Sequence, residues 1–269
     1  MTQENFNLND DGLLKMTIDP EVLAKELAAE LQGDPLDDID LDALDSDQAK
    51  VANDCEAGLK WLQQGHEERL QGLRVFCEHR DPRSLPLLVP LLSEPCPVER
   101  MSAVYALGRN PSARAVNILL ELLEKDENAY VRKAAAWSLG NYSNAPVMKP
   151  LINSLKTDIA AVRLWAASSL AEVGLSSTAN ATEVVTELLI SLKIDDEPVV
   201  RSNCIWSLGR LYELISENFK VEFMDALIFS LLNDSEASVR DEARVVLEQI
   251  DTPEVQARVK LALEERSLF

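Results

Sequence analysis

From residue 69 onward, apolar and polar positions recur in blocks that share one register. VERMSAVYALG, VRKAAAWSLG, VRLWAASSLAEVG, VRSNCIWSLG and VRDEARVVLE align on Arg100, Arg132, Arg163, Arg201 and Arg240, at intervals of 32, 31, 38 and 39 residues. Three residues after each Arg stand Ala103, Ala135, Ala166, Cys204 and Ala243. Seven after stand Leu107, Leu139, Leu170, Leu208 and Leu247, and Gly108, Gly140 and Gly209 follow at the eighth place. Offsets of three, four and seven lie on one side of a 3.6-residue helix, so each block predicts a helix with one buried face. A second apolar helix is predicted ahead of each, over residues 85–92, 116–123, 147–155, 184–192 and 223–232. A degenerate further copy starts at Arg69, with Gly72 and Phe76 in the matching places.

Two helices per unit at this period predict an all-α solenoid of about five to six repeats. SSTANAT and YELISENFK account for the two longer intervals and are expected to lengthen loops. Thr252-Pro253-Glu254 opens a last helix that reads as a terminal cap. Within the unit, the small residue lets helices approach, the Leu fills the interface and the Gly tightens or ends the helix. Each Arg is expected to meet an acid or a carbonyl of a neighbouring turn, forming a ladder that keeps the repeats in register.

The motif Asp-x(4–5)-Val-Arg-x-x-Ala-x-x-x-Leu-Gly, with Asp126, Asp158, Asp195 and Asp234 ahead of the Val-Arg pairs, resembles HEAT repeats. More narrowly, residues 69–250 are similar to the phycobilisome-lyase type of HEAT-like repeat found in cyanobacteria. That resemblance implies two settings. One is a non-catalytic scaffold or assembly factor whose partner is a phycobiliprotein or an A-type iron–sulfur carrier. The other is a subunit of the paired E/F-type lyases, with a phycobilin as bound ligand.

The residues that the repeat does not need are the candidate site. At about 100° per residue, positions two, five and nine after each Arg point away from the core, toward the concave side. Position five holds Tyr105, Trp137 and Trp206, position two holds Trp165, and position nine holds Arg109, Asn141, Glu172 and Arg210. Such a stripe suits a protein helix or a flat conjugated ligand, with aromatic faces for stacking and guanidinium groups for carboxylates. If the aromatics instead wedge between repeats, the stripe belongs to the core. Under the lyase resemblance, Arg109 and Arg210 would hold bilin propionates and Glu172 would contact pyrrole N–H groups.

Composition narrows the choice of partner. The chain has 269 residues with 26 Lys+Arg against 46 Asp+Glu, a formal charge of −20 that disfavours nucleic acid. Residues 1–54 hold fifteen acids and three bases, or −12, and the remaining thirty-one acids and twenty-three bases give −8. Two parts are therefore expected: an acidic arm over 1–54 and a solenoid over 55–269. In the arm, Asp19-Pro20-Glu21 starts a short amphipathic helix carrying Val22, Leu23, Leu27 and Leu31, and seven Asp residues between 34 and 47 predict a solvated linker. The glycine and distal Glu of a calcium loop are absent at the required spacing.

Catalytic motifs are not found. Cys55, Cys77, Cys96 and Cys204 form no CxxC pair, and no nucleophile elbow, phosphate loop or dinucleotide fingerprint occurs. Cys77 and His79, two apart on a helix, diverge too far to share a metal, so no metal and no cofactor are expected. Cys96, between Pro95 and Pro97, is expected on a loop as the thiol open to reaction. With no apolar run long enough to span a bilayer and no secretory segment, a soluble cytoplasmic protein is expected.

Overall fold

The computed structural model describes residues 48–250 and 252–267. Among them are thirteen α-helices: α1 (Gln48–Trp61), α2 (His66–Glu78), α3 (Leu85–Leu91), α4 (Pro97–Arg109), α5 (Val116–Lys125), α6 (Ala129–Leu139), α7 (Met148–Thr157), α8 (Ala160–Gly174), α9 (Thr178–Ile194), α10 (Pro198–Leu211), α11 (Glu217–Asn233), α12 (Ala237–Ile250) and α13 (Pro253–Ser267). Short 3₁₀ turns at Pro82–Ser84, Gly140–Tyr142 and Tyr212–Leu214 join some of them. The helices pair as six consecutive hairpins, and α13 closes the array against α11 and α12.

The second helices α2, α4, α6, α8, α10 and α12 pack directly on one another, whereas neighbouring first helices touch sparingly. An array that is tight on one side and splayed on the other curves, with the second helices inside. Close approach is set by small residues at position eight. A Cβ on Gly140 would stand 2.7 Å from Ser169 Oγ and 3.2 Å from Ser169 Cα, and one on Gly209 would stand 2.7 Å from Val246 Cγ1. The core follows the repeat register: Ala103, Ala135, Ala166, Cys204 and Ala243 are fully buried, as are Leu107, Leu139, Leu170 and Leu208.

The arginine ladder is continuous across four rungs. Arg100, Arg132, Arg163 and Arg201 grip Asp126, Asp158, Asp195 and Asp234 of the next repeat through paired N–H···O bonds of 2.7–3.3 Å. From the second rung on, each Arg also donates Nη1 to the main-chain carbonyl of the Asp that the preceding Arg holds, 2.9 Å in the case of Arg163 and Asp158. Arg240 extends this to the carbonyl of Asp234 at 2.6 Å. Each Asp carboxylate further accepts a backbone N–H at the start of the following helix, as Asp195 does from Glu197 at 3.0 Å. One carboxylate thus fixes the turn that leads into a helix and binds the preceding repeat. The Arg201 guanidinium holds the Asp234 carboxyl below its ordinary value. Buried amide and phenol groups add ties: Asn110 Nδ2 donates to the carbonyls of Phe76 and His79, and Tyr142 Oη donates to that of Leu107 at 2.9 Å.

Two expectations need correction. SSTANAT is not a loop extension and YELISENFK is one only in part: α9 begins at Thr178, while Tyr212–Leu214 form a 3₁₀ turn and α11 begins at Glu217, so each of these helices is 17 residues long, against 10 for α5 and α7. Ser177 Oγ caps α9 by accepting from the Asn180 N–H, which explains how a polar segment starts a helix there. The second correction concerns the boundary at 54/55. Helix α1 runs straight through it from Gln48, and Asp54 Oδ2 lies 3.7 Å from Nε2 of His79, the residue that follows α2. The helix predicted around Val22 and the Asp-rich stretch lie outside the described residues.

Candidate functional site

Positions two, five and nine differ in depth along the array of second helices. Tyr105, expected at the surface, is only 1% exposed. The physical reason is Gly108: lacking a side chain, it lets Trp137 of the next repeat lie over it, and the indole meets the Tyr105 ring edge-on with centroids 5.4 Å apart. Trp137 is itself partly buried and packed against the core. The wedge alternative therefore describes these two aromatics. Arg109 is half-buried, with Nε donating to the Glu78 carbonyl at 3.3 Å. Asn141 is exposed in a 3₁₀ turn, its amide 3.5 Å from the Ser138 carbonyl.

The other half of the array is more open. Trp206 on α10 is 41% exposed, and the Arg210 guanidinium lies over its ring, 5.0 Å from the centroid. Arg210 also pairs with Glu172 of α8, so position nine of one repeat meets position nine of the next. Trp165 is half-buried on α8. Ser168 and Asn203 are hydrogen-bonded at 2.6 Å across the same two helices. On α12, Val245 occupies position five and is exposed, while Glu242 at position two is pushed up in pKa by partial burial. The result is a patch with one open indole, a guanidinium on its face and an adjacent carboxylate. It offers stacking and charge complementarity, and it holds no nucleophile–base pair.

The cysteines and histidines have separate surroundings along most of the chain. Cys77 Sγ donates to the Ser102 carbonyl at 3.6 Å, and His79 faces Asp54, so these two side chains part company. Burial raises the thiol pKa of Cys204 and Cys55. Cys96 is half-buried at the N-cap of α4, beside His66 and Glu99. That juxtaposition of residues thirty and thirty-three apart was missed from sequence, although Glu99 carries a signal, since it breaks the Val-Arg pair.

The geometry defines an α-solenoid of stacked helical hairpins with a decorated inner face. The family described as HEAT repeats matches residues 66–140 and 117–209, more than half of the chain, and the chain belongs to it. A protein of Pseudanabaena tenuis, called "Uncharacterized phycocyanin operon protein Z", is 29% identical over 148 residues, covering 53% of this chain and 72% of that one. Among solved structures, a designed armadillo repeat protein in complex with the peptide (KR)4 has a TM-score of 0.54 at 17% identity, covering 72% of this chain and 98% of its own. Kap121p has a TM-score of 0.56 at 15% identity, covering 85% of this chain and 28% of its own. No helix among the described residues is long and apolar enough to cross a membrane.

Proposed function

We propose that this HEAT-repeat chain is a non-catalytic, cytoplasmic scaffold that binds a phycobiliprotein on the inner face of its C-terminal half and assists its assembly. The observation that carries the reading is the Trp206–Arg210–Glu172 patch, where an indole is left open in a layer whose other aromatics are used in packing. Exposed Trp and Arg side chains are the residue types that anchor protein interfaces. The relative named for a phycocyanin operon favours a phycobiliprotein over an iron–sulfur carrier as the partner. The designed armadillo protein and Kap121p, similar in fold, are described with a peptide and with Pho4p, which favours a binding role for a solenoid of this kind.

The lyase reading draws less support from the geometry. It needs several stacking faces around one groove, and Tyr105 and Trp137 are engaged with each other and with Gly108. Titration calorimetry against phycocyanin α- and β-subunits, with and without attached bilin, tests the proposal, with an A-type iron–sulfur carrier as comparator. Binding of one phycocyanin form, weakened about tenfold or more in Trp206→Ala, is expected. Failure of the wild-type chain to bind any phycocyanin form refutes it. Free phycocyanobilin is expected to leave its visible band unchanged, and a sharpened, shifted band would restore the lyase reading.

A further inference from the structure

In repeats three to six, the residue just before the ladder Arg is Val131, Val162, Val200 or Val239, each fully buried. In the second repeat that place holds Glu99, and its carboxylate is 2% exposed. An ionised side chain in a valine slot is costly unless partners compensate it. Arg69 is one partner, with Nε donating to Glu99 Oε1 at 2.8 Å. Yet Arg69 also has Glu94, 3.9 Å away, in the loop place from which the other rungs draw their Asp. The ladder therefore does not explain why a second acid enters the core.

Two further departures from the repeat meet at the same point. His66 is the first residue of α2, where the other second helices begin with Pro or Ala, and its Nδ1 lies 3.1 Å from Glu99 Oε1. Cys96 is the N-cap residue of α4 and its thiol makes no capping bond. One imidazole nitrogen, one sulfur and one carboxylate oxygen lie within 4.8 Å of one another.

We propose that His66, Cys96 and Glu99 bind a divalent transition metal of the zinc class. The donor set is the mixed N, S and O kind that zinc takes, and three protein ligands leave a fourth position for water or for a partner's side chain. The spacing fits: a tetrahedral zinc with bonds of about 2.0 Å to nitrogen and oxygen holds those atoms roughly 3.3 Å apart, and sulfur to nitrogen roughly 3.5 Å. Histidine and carboxylate are thus already close to a tetrahedral edge, and the thiol, within 4.8 Å of both, has no more than about 1.3 Å to close. Charge also balances. A thiolate and the Glu99 carboxylate neutralise the cation, the imidazole binds neutral with its proton on the other nitrogen, and Arg69 keeps Glu94 as its counter-charge. His66 is half-exposed, so the metal can enter from solvent.

Cobalt is the direct probe, added to the full chain without a polyhistidine tag. One equivalent of Co²⁺ should produce a thiolate-to-metal band in the near ultraviolet and the visible bands of a four-coordinate ion, both removed by one equivalent of Zn²⁺. Cys96→Ser should abolish the thiolate band, and His66→Gln, a change at a half-exposed residue, should weaken cobalt binding by about tenfold or more. Zn²⁺ should raise the thermal midpoint of the wild type and not that of His66→Gln. Absence of a cobalt band in the wild type overturns the site. So does a thiolate band that survives Cys96→Ser, or unchanged affinity in His66→Gln.

Discussion

Replacing Arg163 by Met tests what holds one repeat on the next. In the native chain the Asp195 carboxylate, 6% exposed, accepts Nε and Nη2 of Arg163 at 2.7 Å each, and Arg163 itself is 19% exposed. The third donor, Nη1, satisfies the Asp158 carbonyl at 2.9 Å. Methionine keeps much of the stem packing and removes all three bonds. Stripping one partner from a buried pair costs about 3–5 kcal/mol. Asp195 retains the Glu197 N–H, and the pair is not wholly dry, so a loss of roughly 2–4 kcal/mol is expected. Asp195→Asn can still accept the Glu197 N–H and should cost about 1–2 kcal/mol. The double variant should then fall short of the sum by about 1–3 kcal/mol. Urea unfolding followed by circular dichroism measures these values, and amide exchange in α8 and α10 shows that the loss is local, since solenoids can unfold in stages. Lys125→Ala, which breaks an exposed pair with Glu121, supplies the baseline, within about 0.5 kcal/mol of wild type. If Arg163→Met costs no more than that baseline, or if the two rung changes simply add, the ladder is decoration.

Other outcomes follow from the same geometry. Gly140→Ala places a methyl against Ser169 of the next repeat and should cost about 1–3 kcal/mol in a thermal or urea melt, although alanine favours helix. Trp137→Ala should lose about 2–4 kcal/mol as a core wedge, whereas Trp206→Ala should leave the melt nearly unchanged and show its effect in partner binding. Asp234 and Asp81, both held below the ordinary carboxylate value by Arg201 and Arg83, contribute stability that is complete above about pH 4 and is lost as pH falls through their lowered values. Asp234→Asn should therefore flatten the acid limb of a stability–pH profile. Glu242 has the opposite sign: its raised value means that stability declines as pH rises from its ordinary value to the folded one. Removal of residues 1–47 should leave the melting transition in place, while removal of 1–54 should lower it, because the second cut takes the first half of α1 and the Asp54–His79 contact.

The legible part of this molecule was the part that repeats. Every hairpin must bury the same face, so the Ala and Leu rows and the Val-Arg pairs recur in register, and the Asp ahead of each pair foretold the ladder. SSTANAT was misread because Ser, Thr and Asn signal turns as readily as caps, and Ser177 is a cap. At the site, depth was not legible. Tyr105 and Trp206 share position five, yet one is covered and the other open, because Gly108 admits the indole of Trp137 from the next repeat while Trp206 is stacked by Arg210 of its own helix.

Sequence alone therefore determined the helical hairpin, its period, the buried rows and the acidic excess of the first fifth of the chain, since these depend on periodicity along one helix and on composition. Tertiary structure decided which aromatics remain available and which distant donors meet. Both depend on how closely adjacent second helices approach and on the turn that brings Cys96 and Glu99 of one repeat to His66 of the one before. That distance is set by pairs of residues about thirty apart, and no single helix's pattern contains it.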